Sequence, residues 1–241
     1  MKHVNLILQG KGGVGKSFIA SLLTQHYIGR QVTPACIDTD PVNQTFAGYK
    51  AFTAKRLELM RDGNIDPRAF DQLIEGIMTA PEDAVFIVDN GAATFVPLSA
   101  YMFENDVAAF LQQHGLQLVI HSVLTGGQAQ GDTMDGLASL LEHFPNVPVV
   151  VWLNEFFGRV ERDGRKFEDS KLFRDHQEQI HALIRIPELR KETFGADVDQ
   201  MLRQKITFAA VKDAPDFTIM ARQRLAMTWR TLDGQMAAAN L

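Results

Sequence analysis

The sequence predicts an α/β fold with a doubly wound, mainly parallel sheet and helices on both faces. Short apolar segments alternate along the chain with longer amphipathic segments. Most of the apolar segments are continuous and rich in β-branched residues, as strands buried on both faces should be. Alternation of strand and helix favours parallel pairing through right-handed crossovers. The chain has 241 residues, of which 46% are hydrophobic, and no internal repeat, so we expect a single domain over residues 1–241.

Six apolar segments predict the strands. In chain order they cover residues 4–9, 34–38, 84–89, 116–122, 147–154 and 183–186. Helical periodicity predicts five helices, over residues 17–28, 67–78, 100–113, 133–144 and 218–239. Ligands of open α/β sheets bind at the carboxyl ends of the strands, so the residues that follow each strand are the first candidates for a site.

The first strand leads into a glycine-rich turn. Residues 10–17 read GKGGVGKS, which fits the pattern G-x-x-x-x-G-K-[ST] between a predicted strand and a predicted helix, and therefore predicts a P-loop. Glycines let backbone N–H groups point inward around phosphate oxygens. Lys16 would reach the β- and γ-phosphates of a nucleotide, and the Ser17 hydroxyl would bind Mg²⁺. The predicted nucleotide-binding residues here are Gly10, Gly12, Gly13, Val14, Gly15, Lys16, Ser17 and Phe18.

Acidic residues end the next two predicted strands. The second strand runs into IDTDP, in which Asp38 and Asp40 could both lie near bound phosphates, one by the metal ion and one by an attacking water. A solvated turn closed by Pro41 explains the same residues. The third strand, VFIVD, ends in Asp89 and fits the Walker B pattern, whose aspartate holds Mg²⁺.

The fifth predicted strand ends in Asn154, close to Phe156 and Phe157. An amide offers both a hydrogen-bond donor and an acceptor, which suits the edge of a nucleotide base. A second interpretation is that Asn154 caps the loop over residues 155–158.

Composition excludes several other classes of protein. The single cysteine, Cys36, has no partner for an intramolecular disulfide or a C-x-x-C metal site, and we expect a buried thiol. The seven histidines show no metal-ligand spacing. No apolar run approaches the roughly 20 residues that span a bilayer, and the first strand begins too early to leave room for a signal peptide. We therefore expect a cytoplasmic protein without membrane insertion.

Two clusters of basic residues are candidates for a nucleic-acid-binding surface. The net charge is −5, so contact with DNA would need a local patch. The clusters comprise Arg159, Arg162, Arg165 and Lys166, and then Arg222, Arg224 and Arg230. Acidic residues interleave with the first cluster and predict a solvated, salt-bridged loop. Nonspecific DNA binding through phosphate contacts is the alternative.

A second lysine, Lys11, lies within the P-loop. With it, residues 11–17 resemble the deviant Walker A motif of the ParA/MinD family of P-loop ATPases. The resemblance implies that the chain binds ATP or ADP with Mg²⁺. It also implies that Lys11 reaches across the interface of an ATP-bound homodimer to the partner's phosphates, where it would neutralise charge that develops in the transition state.

The resemblance extends to other segments. Residues 38–41 resemble the family's D-x-D-P switch I segment, which implies that Asp40 orients the attacking water and that Asp38 lies on the metal side. Asp89 matches the family's Walker B aspartate, which binds the metal, and Asn154 matches its adenine-contacting asparagine. Pro187 falls where the family's second adenine-flanking loop begins.

Two segments depart from the family pattern. Residues 90–92 read NGA where partition ATPases of the family usually carry a proline-containing switch II. Residues 232–241 lack the basic amphipathic helix by which MinD-type members bind membranes.

The resemblance implies an ATPase that hydrolyses ATP to ADP and phosphate and acts as a dimerisation switch. The chain is similar to members of the family that serve plasmid conjugal transfer, so we expect the ATP-bound homodimer to recruit or position a protein of that machinery. Two alternatives stay open. One is a P-loop kinase with a small acceptor, whose lid would be the loop over residues 159–166, and the other is a nucleotide-binding scaffold with negligible hydrolysis.

Overall fold

The computed structural model describes residues 1–241. Its strands are β1 (His3–Ile7), β2 (Ala35–Asp38), β3 (Lys55–Arg56), β4 (Met60–Arg61), β5 (Asn64–Ile65), β6 (Val85–Asp89), β7 (Gln117–Thr125), β8 (Val149–Asn154), β9 (Glu161–Arg162), β10 (Arg165–Lys166) and β11 (Ile180–Ile186). Its α-helices are α1 (Lys16–Gly29), α2 (Ala69–Thr79), α3 (Phe95–Glu104), α4 (Val107–Gln113), α5 (Gln130–His143), α6 (Lys171–Asp175), α7 (Ala196–Gln204) and α8 (Ile219–Ala238).

Seven of these strands form one sheet in the order β11-β8-β7-β1-β6-β2-β3, and every neighbouring pair is parallel. In the central strand, Leu6 lies opposite Val88 of β6 and Ile120 of β7. The chain leaves β1 toward β2 on one side and leaves β7 toward β8 on the other. The adjacent strands β1 and β7 therefore form a topological switch point, where ligands bind in such sheets. This arrangement confirms the predicted doubly wound parallel fold.

Helices cover both faces of the sheet, and successive strand residues point into two different cores. Leu6 and Leu8 belong to a core of 30 buried residues that lies under α2, α3, α4 and α5. Ile7 points the other way, into a core of 27 buried residues under α1, α7 and α8. Because the two cores are of similar size, the strands are apolar on both faces rather than at alternate positions only, with a few buried polar residues among them.

A buried polar chain crosses the second core. Trp152 Nε1 donates a hydrogen bond to Nδ1 of His121, and Nε2 of His121 donates to Oδ1 of Asn5, each at 3.0 Å. Since Nδ1 accepts a hydrogen bond, the imidazole is neutral, and burial lowers the pKa of His121 to about 3. His121 therefore satisfies polar groups inside the core and lies away from the strand ends.

The structure corrects one predicted helix and adds short elements. The segment over residues 100–113 is not one helix, because Asp106 adopts a left-handed backbone conformation with a φ of 48° and separates α3 from α4. Pro97 fits in the first turn of α3, where a backbone N–H has no intrahelical partner. The sequence predicted none of β3, β4, β5, β9, β10, α6 and α7, most of which are too short to show a period. No helix combines the length and the apolar character needed to cross a bilayer.

Candidate nucleotide-binding site

The P-loop leaves the central strand with a backbone that two of its glycines make possible. Gly13 and Gly15 have φ values of 75° and 103°, in the left-handed region that side chains with a Cβ rarely adopt. Space is also limited at Gly15, where a Cβ would lie 2.9 Å from Nδ2 of Asn154. The turn therefore brings successive backbone N–H groups to the first turn of α1, which is the arrangement that binds phosphate oxygens.

Lys16 lies at the floor of this loop. Its side chain is buried, and its Nζ donates a hydrogen bond to the carbonyl oxygen of Lys11 at 2.8 Å. Burial lowers the pKa of Lys16, while the carboxylates of Asp89 and Asp40 oppose that shift. The carboxylates of Asp89 and Asp40 thus stabilise the charged form of Lys16.

Asp89 has an oxygen that no group in the protein satisfies. The residue is 2% exposed, and its Oδ1 is buried without a hydrogen-bond partner. Burial raises the pKa of Asp89 to about 7, although a hydrogen bond from the Ser17 side chain acts in the opposite direction. A buried, orphaned carboxylate oxygen next to a hydroxyl suits a hard divalent cation. The protein has no group of three or more His, Cys, Asp or Glu side chains that could hold a metal ion alone, so phosphate oxygens and water would complete the shell.

The two aspartates of the second strand end order the loop that follows them. Asp38 is buried, and its two carboxylate oxygens accept from the backbone N–H groups of Asp40 and Ala47 at 3.0 and 2.9 Å. Asp40 accepts from the backbone N–H groups of Val42 and Asn43 at 2.8 and 3.0 Å. Asp38 can therefore order the turn and also lie beside a metal ion, because each of its carboxylate oxygens accepts one hydrogen bond and keeps a second lone pair.

Gly91 lets the loops after β2 and β6 come close together. A Cβ at Gly91 would lie 2.7 Å from Cγ of Asp40. The segment over residues 90–92, which departs from the family pattern, therefore contacts the predicted water-orienting residue directly. Because the two loops are in close contact, a movement of one loop displaces the other.

A cavity of about 540 Å³ opens between the P-loop and these loops. It brings together the P-loop, Asp40 and a residue that the sequence analysis missed, Tyr49, which is 2% exposed and stacks on Phe52. No motif marks Tyr49, since it reaches the cavity only through the folding of residues 41–52. The lining residues are Gly12, Gly13, Gly15, Lys16, Ser17, Phe18, Asp40, Val42, Asn43, Thr45, Tyr49, Asn90, Ala92, Ala93 and Leu202.

A second, more apolar cavity of about 320 Å³ adjoins the first and shares Gly13, Gly15, Phe18 and Leu202 with it. Its size and its aromatic and aliphatic walls suit a flat heterocycle. The other lining residues are Asn154, Phe156, Phe157, Ile186, Leu189, Val198, Asp199, Thr228 and Leu232.

Two predicted base-binding residues have defined places near this second cavity. Asn154 donates through Nδ2 to the carbonyl oxygen of Val14 at 2.9 Å and accepts at Oδ1 from the N–H of Phe156 at 3.2 Å. It therefore caps its own loop and ties that loop to the P-loop, while its second amide hydrogen has no protein acceptor. Pro187 is half-buried between Ile186 and Leu189, two side chains that line the cavity, and is not itself a lining residue.

Lys11 points away from both cavities. Its Nζ forms an ion pair with Oδ2 of Asp132 on α5 at 2.7 Å, and the two side chains are 44% and 60% exposed. The cation is thus held within its own chain by a single partly solvated contact.

A further residue that the sequence analysis missed, Gln9, fixes the start of the P-loop. Its side chain is fully buried, with Oε1 accepting from the N–H of Gly10 at 2.8 Å and Nε2 donating to the carbonyl oxygens of Val123 and Thr133 at 2.9 and 3.0 Å. A Cβ at Gly136 would lie 2.2 Å from Oε1 of Gln9, so this glycine makes room for the contact. Gln9 thereby links the P-loop to α5, next to Asp132.

The first basic cluster differs from its prediction. Arg162 of β9 lies directly opposite Arg165 of β10, and neither they nor Lys166 form an ion pair. The nearby acids Glu155 and Glu168 pair with Arg185 instead. The prediction of a salt-bridged loop is therefore wrong for these three cations, although Arg159 does reach Glu188 at 3.6 Å.

The second basic cluster is mostly engaged within the protein. Arg224 pairs with Asp197 at 2.5 Å, and Arg222 donates to the carbonyl oxygens of Phe217 and Ala214. Only Arg230 of this cluster forms no ion pair or hydrogen bond, so the cluster does not present a basic patch.

A P-loop at the switch point of a seven-stranded parallel sheet, with a second lysine in the loop, defines a P-loop nucleotide-binding protein of the ParA/MinD type. Solved structures share the fold. The MinD cell division protein of Aquifex aeolicus has a TM-score of 0.53 at 17% identity, with 96% of this chain and 97% of that chain covered. Apo McdA of Cyanthece has a TM-score of 0.54 at 15% identity, with 98% of this chain and 100% of that chain covered.

No protein-family model matches the chain. Two proteins of Escherichia coli, each called Protein TraL, are 46% and 45% identical to it over 240 residues, with 99% of both chains covered in each comparison. The chain belongs to the TraL family.

Proposed function

We propose that this protein is a cytoplasmic, single-domain ATPase that binds Mg-ATP, forms a homodimer in that state and reopens after hydrolysis, and that it acts in plasmid conjugal transfer. The observation that carries the proposal is the position of Lys11. It is part of the P-loop, yet its Nζ points out of its own phosphate cavity into a weak surface ion pair. A lysine in that position is free to serve the site of a second copy.

The residues of the P-loop divide the binding of the nucleotide among them. Backbone N–H groups of Gly12, Gly13 and Gly15 would bind the phosphates, with Lys16 as their buried counter-charge. The apolar cavity beside Phe18 and Asn154 would receive the base. Bound Mg²⁺, held by Ser17 and Asp89 with Asp38 on the same side, would polarise the terminal phosphate.

Hydrolysis is assigned to Asp40, which lines the cavity beside the P-loop and begins the loop that Asp38 orders. Its carboxylate would orient water toward the terminal phosphate, while Lys11 of the partner would neutralise the charge that develops there. The cations of residues 159–166 line neither cavity, so the structure gives no support to a kinase lid made from them.

Sedimentation of the protein with Mg²⁺ and either ADP or ATP tests the proposal, with ATP turnover recorded on the same samples. We expect wild type to dimerise with ATP, Lys16→Ala to lose nucleotide binding, and Lys11→Ala to bind nucleotide without forming the dimer. Asp40→Ala should accumulate the ATP dimer, whereas a scaffold that does not hydrolyse ATP would be unaffected. A monomer with ATP, or a fully active Lys11→Ala variant, would contradict the proposal.

One observation favours nonspecific DNA as a second ligand of the dimer. Like charges placed directly opposite in a two-stranded ribbon destabilise it, so the pair Arg162–Arg165 is more easily explained by an anionic ligand than by folding. Phosphate contacts need only such a patch. Binding of labelled duplex should weaken with salt and with Arg162→Ala or Arg165→Ala, while Arg224→Ala, whose cation is already paired, affects folding rather than DNA. If Arg162→Ala and Arg165→Ala bind the duplex as tightly as wild type does, DNA is not a ligand of the β9–β10 ribbon.

A further inference from the structure

Positive charge is absent from one long part of the chain. Residues 69–158 contain 11 acidic residues and no Lys or Arg, whereas all 24 cations lie in the remaining residues with 18 acids. This part of the chain includes α2, α3, α4 and α5, which together cover one face of the sheet. The four helices on that face therefore contribute acidic side chains but no Lys or Arg, although the rest of the chain is net basic. Lys11 and Lys2 reach this face from the P-loop side and from the end of α2, where they contact Asp132 and the carbonyl oxygens of Ile77 and Met78.

An apolar groove runs between α3 and α5 on this acidic face. It has a volume of about 240 Å³. Val96 and Phe103 of α3 both line it and are 69% and 59% exposed. Exposed apolar side chains that are grouped in this way, unlike scattered ones, mark interaction sites. They lie on one stripe of α3 with Ser99 and Ala100, at the i, i+3, i+4, i+7 spacing of a helix contact face. We call this feature the α3–α5 groove.

The walls of the α3–α5 groove leave room for a helix backbone. Its lining includes the small residues Ser99, Ala100 and Ser139, which allow close approach. The Ser99 hydroxyl oxygen is buried without a hydrogen-bond partner, so this wall of the groove presents no free polar group to an occupant. At the open end, Phe103 packs edge-on against His143 at 5.4 Å and Glu104 faces solvent.

The groove is in contact with the P-loop through one side chain. Phe95 lines the groove, and a Cβ placed at Gly10 would lie 2.9 Å from Cδ1 of its ring. Phe95 is also the first residue of α3, directly after the loop over residues 90–94 that meets Asp40. An occupant that moves α3 would therefore press on both the P-loop and the loop after β6.

We propose that the α3–α5 groove docks a basic amphipathic helix of a partner protein and couples its binding to the nucleotide site. Charge complementarity selects this occupant, since a helix with an apolar stripe would meet the apolar floor, and its flanking Lys or Arg would meet Glu104 at the groove and the exposed Asp135 and Glu142 of α5. An anionic membrane would be repelled by the acidic face, and two copies of that face would repel each other. The docking step does not depend on the proposed ATPase activity, but its coupling to nucleotide does.

Fluorescence anisotropy with a synthetic panel tests the docking step in the absence of nucleotide. The probes are labelled helices of about 18 residues with leucines at the stripe positions and lysines on both flanks. The peptides of the panel differ in the position of the leucine stripe relative to the lysines. In the matched control peptides, every lysine is replaced by glutamate or the sequence is scrambled. We expect the basic helices to bind wild type, with affinity that falls as salt rises.

Substitutions then locate the site. Phe103→Glu and Val96→Glu should each weaken binding about tenfold or more. Met220→Glu is the matched control, because Met220 is 60% exposed on α8, on the other side of the sheet, and it should change affinity by less than about twofold. Circular dichroism of each variant checks its folding. Failure of the whole panel to bind, equal binding of the glutamate probes, or wild-type binding by both groove variants would overturn the docking proposal.

Two further measurements complete the test. Binding to anionic vesicles tests a membrane as the occupant, and sedimentation of the protein alone tests a second copy of the chain. If wild type binds vesicles or self-associates and Val96→Glu abolishes that interaction, the membrane or the second copy is the occupant and the docking proposal is wrong. Coupling is measured as the change in ATP affinity at saturating helix, which linkage requires to equal the change in helix affinity caused by ATP. An unchanged ATP affinity would overturn the coupling, whereas absence of ATP binding in wild type would contradict the proposed function and leave the docking result standing.

Discussion

Replacement of Asp132 by asparagine should strengthen the ATP-dependent dimer. In the single subunit, the Lys11 ammonium forms an ion pair with the Asp132 carboxylate at 2.7 Å, and that pair must break before Lys11 can reach a partner's phosphates. Gln9 makes the position of Asp132 well defined, because its side chain bonds both Gly10 of the P-loop and the carbonyl oxygen of Thr133, the neighbour of Asp132. The acid therefore competes directly with the proposed dimer contact.

The size of the effect follows from the exposure of the pair. With side chains 44% and 60% exposed, the interaction is worth about 0.2–1 kcal/mol. Each of the two subunits must release one lysine, so loss of both pairs favours the dimer by about 0.4–2 kcal/mol, or roughly two- to thirtyfold in the dimer dissociation constant.

Sedimentation equilibrium with Mg-ATP measures that constant for wild type and for Asp132→Asn. Asp135→Asn is the matched control, because Asp135 is exposed on the same helix and forms no ion pair, and it should behave as wild type. In a Lys11→Ala background, Asp132→Asn should have no effect on dimerisation. A weaker dimer in Asp132→Asn, or an equal gain from Asp135→Asn, would refute the idea that Asp132 restrains Lys11.

Three further predictions concern stability. Gly136→Ala places a Cβ against Gln9 and should lower the free energy of unfolding by about 1–3 kcal/mol in urea titrations, whereas Gly76→Ala, in open space on α2, should raise it by about 0.5–1 kcal/mol. Trp152→Phe removes the donor to the buried Nδ1 of His121 and should cost about 1–3 kcal/mol in the same assay. The pKa of His121 is lowered in the fold, so only the unfolded chain takes up this proton below the ordinary value of 6.5. Unfolding free energy should fall by about 1.4 kcal/mol per pH unit more in wild type than in His121→Gln as pH drops from 6.5 toward 3, and parallel pH profiles would contradict this.

The sequence predicted the sheet and the P-loop because both depend on contiguous residues. Strands buried on both faces need apolar residues on both, and the segments that became β1, β2, β6, β7 and β8 are apolar apart from a few polar residues such as Asn5 and His121. Eight adjacent residues contain the geometry of the phosphate loop, with Gly13 and Gly15 at the positions that need positive φ. Elements set by long-range packing were harder to predict. The break at Asp106 leaves no gap in the apolar pattern of residues 100–113, so periodicity predicted one helix there.

The partners of the site residues were decided only by the tertiary structure. Lys11 meets Asp132 across 121 positions of sequence, and the Gln9 amide meets Val123 and Thr133, because parallel crossovers bring the start of α5 beside the P-loop. The same packing leaves one oxygen of Asp89 without a hydrogen-bond partner, places Tyr49 in the cavity beside the P-loop and opens the α3–α5 groove. A sequence motif can identify a phosphate-binding loop, because the backbone conformation of the loop depends on adjacent residues. Which side chain restrains the second lysine, and which face is left for a partner, depends on how distant segments pack, and no single stretch of the sequence contains that information.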